Sequence, residues 1–260
     1  MRVAVNGAAG AMGQRVIALI AAAPDMELVA AMDRADHPDM GKDAGLLARV
    51  AELGVPLSAG LTGEPDVAID FSVPAATLTL ARDCARLGVP LLIGTTGLPA
   101  EVRAEIEDKV ASRIPVLLAA NMSLGVNLLL RLVEVAARAL PGYDVEVIEA
   151  HHRRKKDAPS GTAKELANRL LKALGRDEEA LIYGREGIVG ARTSEEIAVH
   201  AVRGGDIVGD HTVLFAGEGE RIELTHRASN RDVFAQGALR AARFLVQQEP
   251  GLYSMEDVLA

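Results

Sequence analysis

Val3-Ala4-Val5-Asn6-Gly7-Ala8-Ala9-Gly10-Ala11-Met12-Gly13 runs from a short apolar segment into three regularly spaced glycines. Val3 to Asn6 reads as a buried strand. Gly10 to Ala23, with Val16, Ile20 and Ala23 on one face, reads as a helix. Glycines at the junction let the backbone turn tightly and approach a diphosphate, while the helix N-terminus offers free N–H groups and a positive dipole end. The spacing is Gly-x-x-Gly-x-x-Gly rather than the commoner Gly-x-Gly-x-x-Gly. Its position between the first strand and a helix therefore carries the reading, against a tight turn with no ligand. Gly7, Ala8, Ala9, Gly10, Ala11 and Met12 are candidate dinucleotide contacts.

Asp33 lies 20 residues beyond Gly13, at the end of a second strand, Leu28 to Met32. An acid there binds a ribose hydroxyl. Arg34 follows, and arginine pairs well with a 2′-phosphate. Together they point to NADH, NADPH or both. Farther along, Val67–Phe71, Val89–Ile93 and Val116–Ala120 read as strands, and Pro74–Leu87 and Pro99–Arg113 as helices. Short apolar strands alternating with amphipathic helices predict a parallel sheet covered on both faces. Gly94-Thr95-Thr96 and Ala119-Ala120-Asn121-Met122 each follow a strand, where open sheets bind ligands, so they are candidate cofactor contacts as well.

Beyond residue 123 the pattern changes. Leu124–Leu140 reads as a helix, Asp144–His152 as a strand and Thr162–Leu174 as a helix. Glu196–Arg203, Ile207–Phe215 and Arg221–His226 are strand-like with no helix between them, which predicts a mostly antiparallel sheet. A last helix, Val233–Gln247, is free to return to the first domain. The expected fold is α/β: a dinucleotide-binding domain over 1–122 with 232–260 returning to it, and an α+β domain over 123–231.

Composition narrows the function classes. The chain has 260 residues, 28 Lys+Arg against 36 Asp+Glu, a net charge of −8, three Tyr, four Phe and no Trp. An acidic chain poor in stacking rings is not a general nucleic-acid binder. Cys84 is the one cysteine, which excludes an intrachain disulfide and a thiolate metal cluster and suits a cytoplasmic location. The early apolar run Val16–Ala23 is too short for a membrane span, and no targeting segment is expected.

Against that acidic background, His151-His152-Arg153-Arg154-Lys155-Lys156 is a basic run. Asp157-Ala158-Pro159-Ser160-Gly161-Thr162 leads from it into a helix, and Thr162-Ala163-Lys164-Glu165 fits a capping box. A cationic loop entering a helix N-terminus attracts anions, carboxylates above all. Adjacent residues of an extended segment point opposite ways, so the two histidines have different tasks. With no His-x-x-x-His pair and no cysteine partner, metal binding is not expected. A histidine close to a lysine suits proton transfer.

The block Glu149-Ala150-His151-His152-Arg153-Arg154-Lys155-Lys156-Asp157-Ala158-Pro159-Ser160-Gly161-Thr162-Ala163 resembles the signature of the dihydrodipicolinate (4-hydroxy-tetrahydrodipicolinate) reductases of bacterial lysine and diaminopimelate synthesis. Gly7–Gly13, Asp70-Phe71-Ser72, Gly94–Gly97, Ala120–Asn127 and Arg203–His211 match that family too, in order along the chain. The resemblance implies a Rossmann-like domain plus an α+β domain with a mixed or antiparallel sheet at the centre of a homotetramer. It implies reduction of a small cyclic dicarboxylate by NADH or NADPH, without a metal. It assigns proton transfer to His151 and Lys155, substrate contacts to His152, Gly161 and Thr162, and cofactor contacts to the glycine turn, Asp33, Arg34, Gly94–Thr96 and Ala119–Met122. Met122 departs mildly from the family, where an aromatic residue occurs. Two other readings stand beside it: an aspartate- or homoserine-type dehydrogenase, and a non-catalytic NAD(P)H-sensing module. Oxidation of an amino acid or an amino alcohol with NAD⁺ would point to the first, and cofactor binding without turnover to the second.

Overall fold

In the computed structural model, which describes residues 1–260, the opening apolar run forms β1 (Arg2–Asn6) and the glycine turn leads into α1 (Ala11–Ala22). Then follow β2 (Glu27–Met32), α2 (Ala44–Leu47), β3 (Leu57–Ser58), β4 (Val67–Asp70), α3 (Pro74–Leu87), β5 (Leu91–Ile93), α4 (Ala100–Glu105) and β6 (Pro115–Leu118). The second half supplies α5 (Leu124–Ala139), β7 (Asp144–His151), α6 (Gly161–Leu174), β8 (Leu181–Tyr183), β9 (Ile197–Arg203), β10 (Asp210–Gly217) and β11 (Glu220–Arg227). The chain ends with α7 (Asp232–Leu245), β12 (Gly251–Tyr253) and α8 (Met255–Val258).

Two compact units result: Met1–Leu124 with Asp232–Ala260, and Gly125–Arg231. The first holds a seven-stranded sheet in the order β12-β6-β5-β4-β1-β2-β3, parallel at every pairing. Both faces are covered, and the strand period of two shows it. Val3 and Val5 pack with Ile17 and Ile20 of α1 and Ala238 and Leu245 of α7. Ala4 faces the other way, into the cluster of Leu80, Cys84, Leu91 and Ile106. Two bidentate ion pairs, Arg15–Asp232 and Arg243–Asp25, tie α7 back to the first elements. The strand order reverses between β1 and β4, and such a reversal opens a crevice at the carboxyl ends of the strands.

The segment expected to be one helix over Pro99–Arg113 changes pitch. It is α-helical to Glu105 and then makes a π turn over Ile106–Val110, which turns both Ile106 and Val110 into the core.

The second unit has a five-stranded sheet, β11-β10-β7-β9-β8. It corrects the mostly antiparallel expectation. β10 pairs antiparallel with β11 and β7, but β7–β9 and β8–β9 are parallel, because β7 reaches β8 through α6 rather than a hairpin. β10 also starts at Asp210 rather than Ile207, since Gly204–Gly209 form a loop. Val145, Val147, Val213 and Phe215 face a core with Leu130 of α5 and Leu166 and Leu170 of α6. The opposite face leaves Ile148 and Val202 exposed.

Candidate active site

In the first unit, the glycine turn is shaped by contact as well as by backbone angle. Gly7 stands at φ 72°, and a Cβ there would lie 2.2 Å from the Phe71 carbonyl oxygen. A Cβ on Gly13 would lie 2.1 Å from the Gly7 carbonyl oxygen, so α1 meets the turn as backbone against backbone. No side chain caps α1, and its first turn carries no acid. The dipole end therefore faces the crevice unneutralised. The Asp33 carboxylate accepts from the Ala9 amide at 3.1 Å, joining the end of β2 to the turn. Beside these lies a cleft of about 480 Å³. Among the sequence candidates Gly7, Gly10, Asp33 and Arg34 line it.

Sequence reasoning missed the cleft's opposite wall, formed by Phe71, Ser72, Val73, Ala76 and Thr79 at the β4–α3 junction, with Gly60 and Leu61 after β3. The matching block Asp70-Phe71-Ser72 was the available signal. Arg34 is exposed and only loosely paired, 3.5 Å from Asp36. The remaining candidates, Ala8, Ala9, Ala11, Met12, Gly94, Thr95, Thr96, Ala119, Ala120, Asn121 and Met122, lie outside the cleft lining. Met122 is 1 % exposed and its side chain belongs to the core, so what it can offer a ligand is backbone. The cradle suits a diphosphate and the cleft a nucleoside, so the residues present fit a dinucleotide.

In the second unit the site grows out of the alternation of β7. Val145 and Val147 are core; two and four residues on, the same face carries Glu149 and His151, both buried. The Glu149 carboxylate receives the Arg203 guanidinium through two bonds of 2.8 Å, the Ser160 amide at 3.0 Å and His151 Nδ1 at 2.6 Å. Burial pushes the Glu149 carboxyl up, but Arg203, His151 and the Ser160 amide outweigh it and hold the group below its usual range. An ionised carboxylate only accepts, so His151 Nδ1 is the donor and Nε2 is the free atom of the ring. His211 packs edge-on against His151, with ring centroids 5.2 Å apart. Burial, then the proximity of His151, lowers His211 to about 4, so it adds no charge near neutral pH.

The same carboxylate positions α6. Ser160 is the true N-cap, accepting from the Ala163 amide, and the helix begins at Gly161. This corrects the capping box expected at Thr162: Glu149 fixes the Ser160 amide, and the cap lies two residues earlier. A Cβ on Gly161 would meet nothing within 4 Å, so this helix end opens into space. In the loop between, Lys155 Nζ sits 3.0 Å from Asp157 and is partly buried. That contact, more than burial can offset, keeps the Asp157 carboxyl below its usual range. The Arg153 amide bonds to the Gly205 carbonyl, holding the loop to the turn after β9. His152 points the other way and is half-buried. Burial, then the charges of Arg154 and Arg231, lower its imidazole below the ordinary value. His151, His152, Lys155, Gly161 and Thr162 are thus gathered on one strand–loop–helix segment. Arg203, His211 and the roles of Glu149 and Ser160 were missed, although all four lie in blocks that carry the family resemblance.

A family profile described as "Dihydrodipicolinate reductase, N-terminus" matches residues 1–122, and one described as "Dihydrodipicolinate reductase, C-terminus" matches residues 125–259. The chain belongs to the dihydrodipicolinate reductase family. It is 49% identical over 264 residues to the 4-hydroxy-tetrahydrodipicolinate reductase of Syntrophotalea carbinolica, covering 100% of this chain and 98% of the relative. It is 50% identical to that of Nitrosomonas eutropha with the same coverage. A dipicolinate-bound dihydrodipicolinate reductase from Paenisporosarcina sp. TG-14 superposes with a TM-score of 0.81 at 29% identity, over 100% of this chain and 99% of that one. A myo-inositol dehydrogenase from Corynebacterium glutamicum, at 17% identity and a TM-score of 0.60 over 100% of this chain and 92% of its own, shares the fold alone. In this reductase no helix is long and apolar enough to cross a membrane.

Proposed function

We propose that the chain catalyses NAD(P)H-dependent reduction of 4-hydroxy-tetrahydrodipicolinate to tetrahydrodipicolinate, with loss of water, in lysine and diaminopimelate synthesis. One observation carries the chemistry. A single buried carboxylate, Glu149, fixes both the His151 ring and the open N-terminus of α6. Family membership sets the aspartate- and homoserine-type alternatives aside, and a pure sensor has no use for a buried, oriented imidazole next to an anion site.

The glycine turn, Asp33 and Arg34 would hold NADH or NADPH, which when bound supplies a hydride. The substrate loses its 4-hydroxyl as water, leaving a conjugated imine, and one hydride with one proton then reduces it. Gly161 and Thr162 at the start of α6 bind a carboxylate through backbone N–H and hydroxyl groups, aided by the helix dipole. His152 contacts the same substrate. As negative charge develops toward the ring nitrogen, His151 Nε2 or Lys155 Nζ delivers the proton. Asp157 orients the Lys155 ammonium, and Glu149 keeps the His151 Nε2 atom aimed. The chain assembles as a homotetramer through the uncovered face of the second sheet; exposed Ile148 and Val202 support this. The lone, buried Cys84 supports a cytoplasmic setting.

The test is oxidation of NADH and NADPH with substrate made in situ from pyruvate and aspartate semialdehyde. Rapid protein-dependent oxidation is expected. Cofactor binding without turnover refutes the reading, and the ratio of the two rates reports what Asp33 and Arg34 select.

A further inference from the structure

Asp70, the last residue of β4, is a fully buried carboxylate that forms no ion pair. Its oxygens instead collect four neutral donors. Oδ1 accepts from Asn6 Nδ2 at 2.7 Å and from Ser72 Oγ at 2.5 Å. Oδ2 accepts from Thr77 Oγ1 at 2.5 Å and from Thr95 Oγ1 at 2.7 Å. Two secondary bonds close the network: Asn6 Nδ2 donates to Ser72 Oγ at 3.0 Å, and the Ser72 amide donates to Thr95 Oγ1 at 2.8 Å.

The four donors come from three stretches of the chain, the end of β1, the β4–α3 junction with the first turn of α3, and the loop after β5, all at the carboxyl edge of the parallel sheet. Asn6 immediately precedes the Gly7 turn, and both line the cleft. Ser72 lines it from the β4–α3 junction. Thr77 sits in the first turn of α3, and Thr95 in the loop after β5. A buried carboxyl is tolerated only when its oxygens are fully hydrogen-bonded, and here all four bonds come from neutral partners. What the carboxylate gives is geometry, since a strand end, a helix start with the junction before it, and a loop are indexed to one pair of oxygens.

We infer that Asp70 is a positioning residue of the dinucleotide site, holding the glycine turn, the β4–α3 wall and the Thr95 loop in the arrangement that accepts the cofactor. The inference rests on the reading that this edge of the sheet binds NAD(P)H. Asparagine is isosteric but replaces one accepting oxygen by an amide donor: facing Asn6 Nδ2 it sets donor against donor, and facing the threonine hydroxyls it makes them turn away and give up the bonds they now donate. Thr77 gives a second handle. It is fully buried and outside the cleft lining, so it cannot touch a ligand there; its hydroxyl bonds Asp70 Oδ2 at 2.5 Å and the Val73 carbonyl at 3.2 Å, so an effect on binding travels through the Asp70 network and the β4–α3 wall it holds.

The experiment is fluorescence titration of the purified full chain with NADPH, without the second substrate, alongside thermal melting and steady-state NADPH oxidation with the substrate made in situ. In Asp70→Asn the Kd is expected to rise at least tenfold, with kcat at saturating NADPH within about threefold of the parent. Thr77→Val is expected to raise Kd several-fold, and Thr77→Ser to restore it. Variants that lower Tm yet bind NADPH within twofold of the parent overturn the inference, because a purely structural residue does that. Should Asp70→Asn not fold, the Thr77 pair decides by the same criterion. Failure of the parent chain to bind NADPH overturns the dinucleotide reading and this inference together. An intact parent with unaffected variants overturns this inference alone.

Discussion

Replacing Gly209 by alanine places a methyl carbon 3.1 Å from His151 Nε2, 3.5 Å from its Cδ2 and 3.7 Å from His211 Cε1. The last two are ordinary contacts; the first is too short by a few tenths of an ångström. The imidazole has little room to yield. Its Nδ1 is held 2.6 Å from Glu149, itself clamped by Arg203, and His211 lies against the ring. The ring therefore swivels about Nδ1 and carries Nε2 off line. A misplacement of about 1 Å at a reacting group costs on the order of a hundredfold in rate. A few tenths then cost about three- to tenfold in kcat, or roughly 0.7–1.4 kcal/mol in the barrier. Stability moves little. Gly209 does not need a positive φ, so alanine gains about 0.4–1 kcal/mol from the unfolded chain, offsetting much of the contact strain. Tm should stay within about 3 °C. Steady-state NADPH oxidation and a melting curve measure both. Gly204→Ala, in the same loop with nothing within 4 Å of the added methyl, is the matched control and should keep the parent rate. Equal kcat for parent, Gly204→Ala and Gly209→Ala would refute a reacting role for His151 Nε2 and leave Lys155 Nζ as the proton donor.

Three further outcomes are expected. Lys155→Ala should lower kcat by about a hundredfold or more, the usual scale for a lost proton donor, while NADPH affinity stays within twofold; unchanged turnover removes Lys155 from the chemistry. Arg34→Ala should weaken NADPH binding and spare NADH, as read by paired titrations, and equal loss of both would contradict a 2′-phosphate contact. Burial raises the Glu146 carboxyl, but hydrogen bonds from Arg185, His200 and Arg192 outweigh it and bring it from 4.5 to about 2. Its folded pKa being depressed, its stabilisation is complete above pH 4.5 and is lost as pH falls toward 2. Circular dichroism over that window should show a shallower acid transition in Glu146→Gln than in the parent; identical slopes would assign the transition to other carboxylates.

Much of this protein is written locally. The apolar runs with helices between them carry the parallel sheet, because a strand buried on both faces must be apolar throughout. The Gly7–Gly13 turn is legible because φ 72° and a 2.2 Å approach to Phe71 admit no side chain. The His151–Thr162 block is legible because its strand, loop and helix are contiguous. What the chain could not show locally is partnership at a distance. Glu149 meets Arg203 across 54 positions, Ser160 meets His211 across 51, and Asp70 gathers Asn6 from 64 away. Strand-like runs beyond residue 196 carry no mark of which neighbour each takes, so the parallel pairing of β7 with β9 comes only from the crossover made by α6. The misplaced cap has the same origin. Ser160 and Thr162 both suit a helix start, and the bond that the Ser160 amide donates to a buried glutamate eleven residues upstream chooses between them. Local pattern determined the elements and the residue types of the site. Tertiary structure decided which carboxylates are buried, what each one holds and which atom of His151 is left free, since those depend on groups that only folding brings within hydrogen-bond reach.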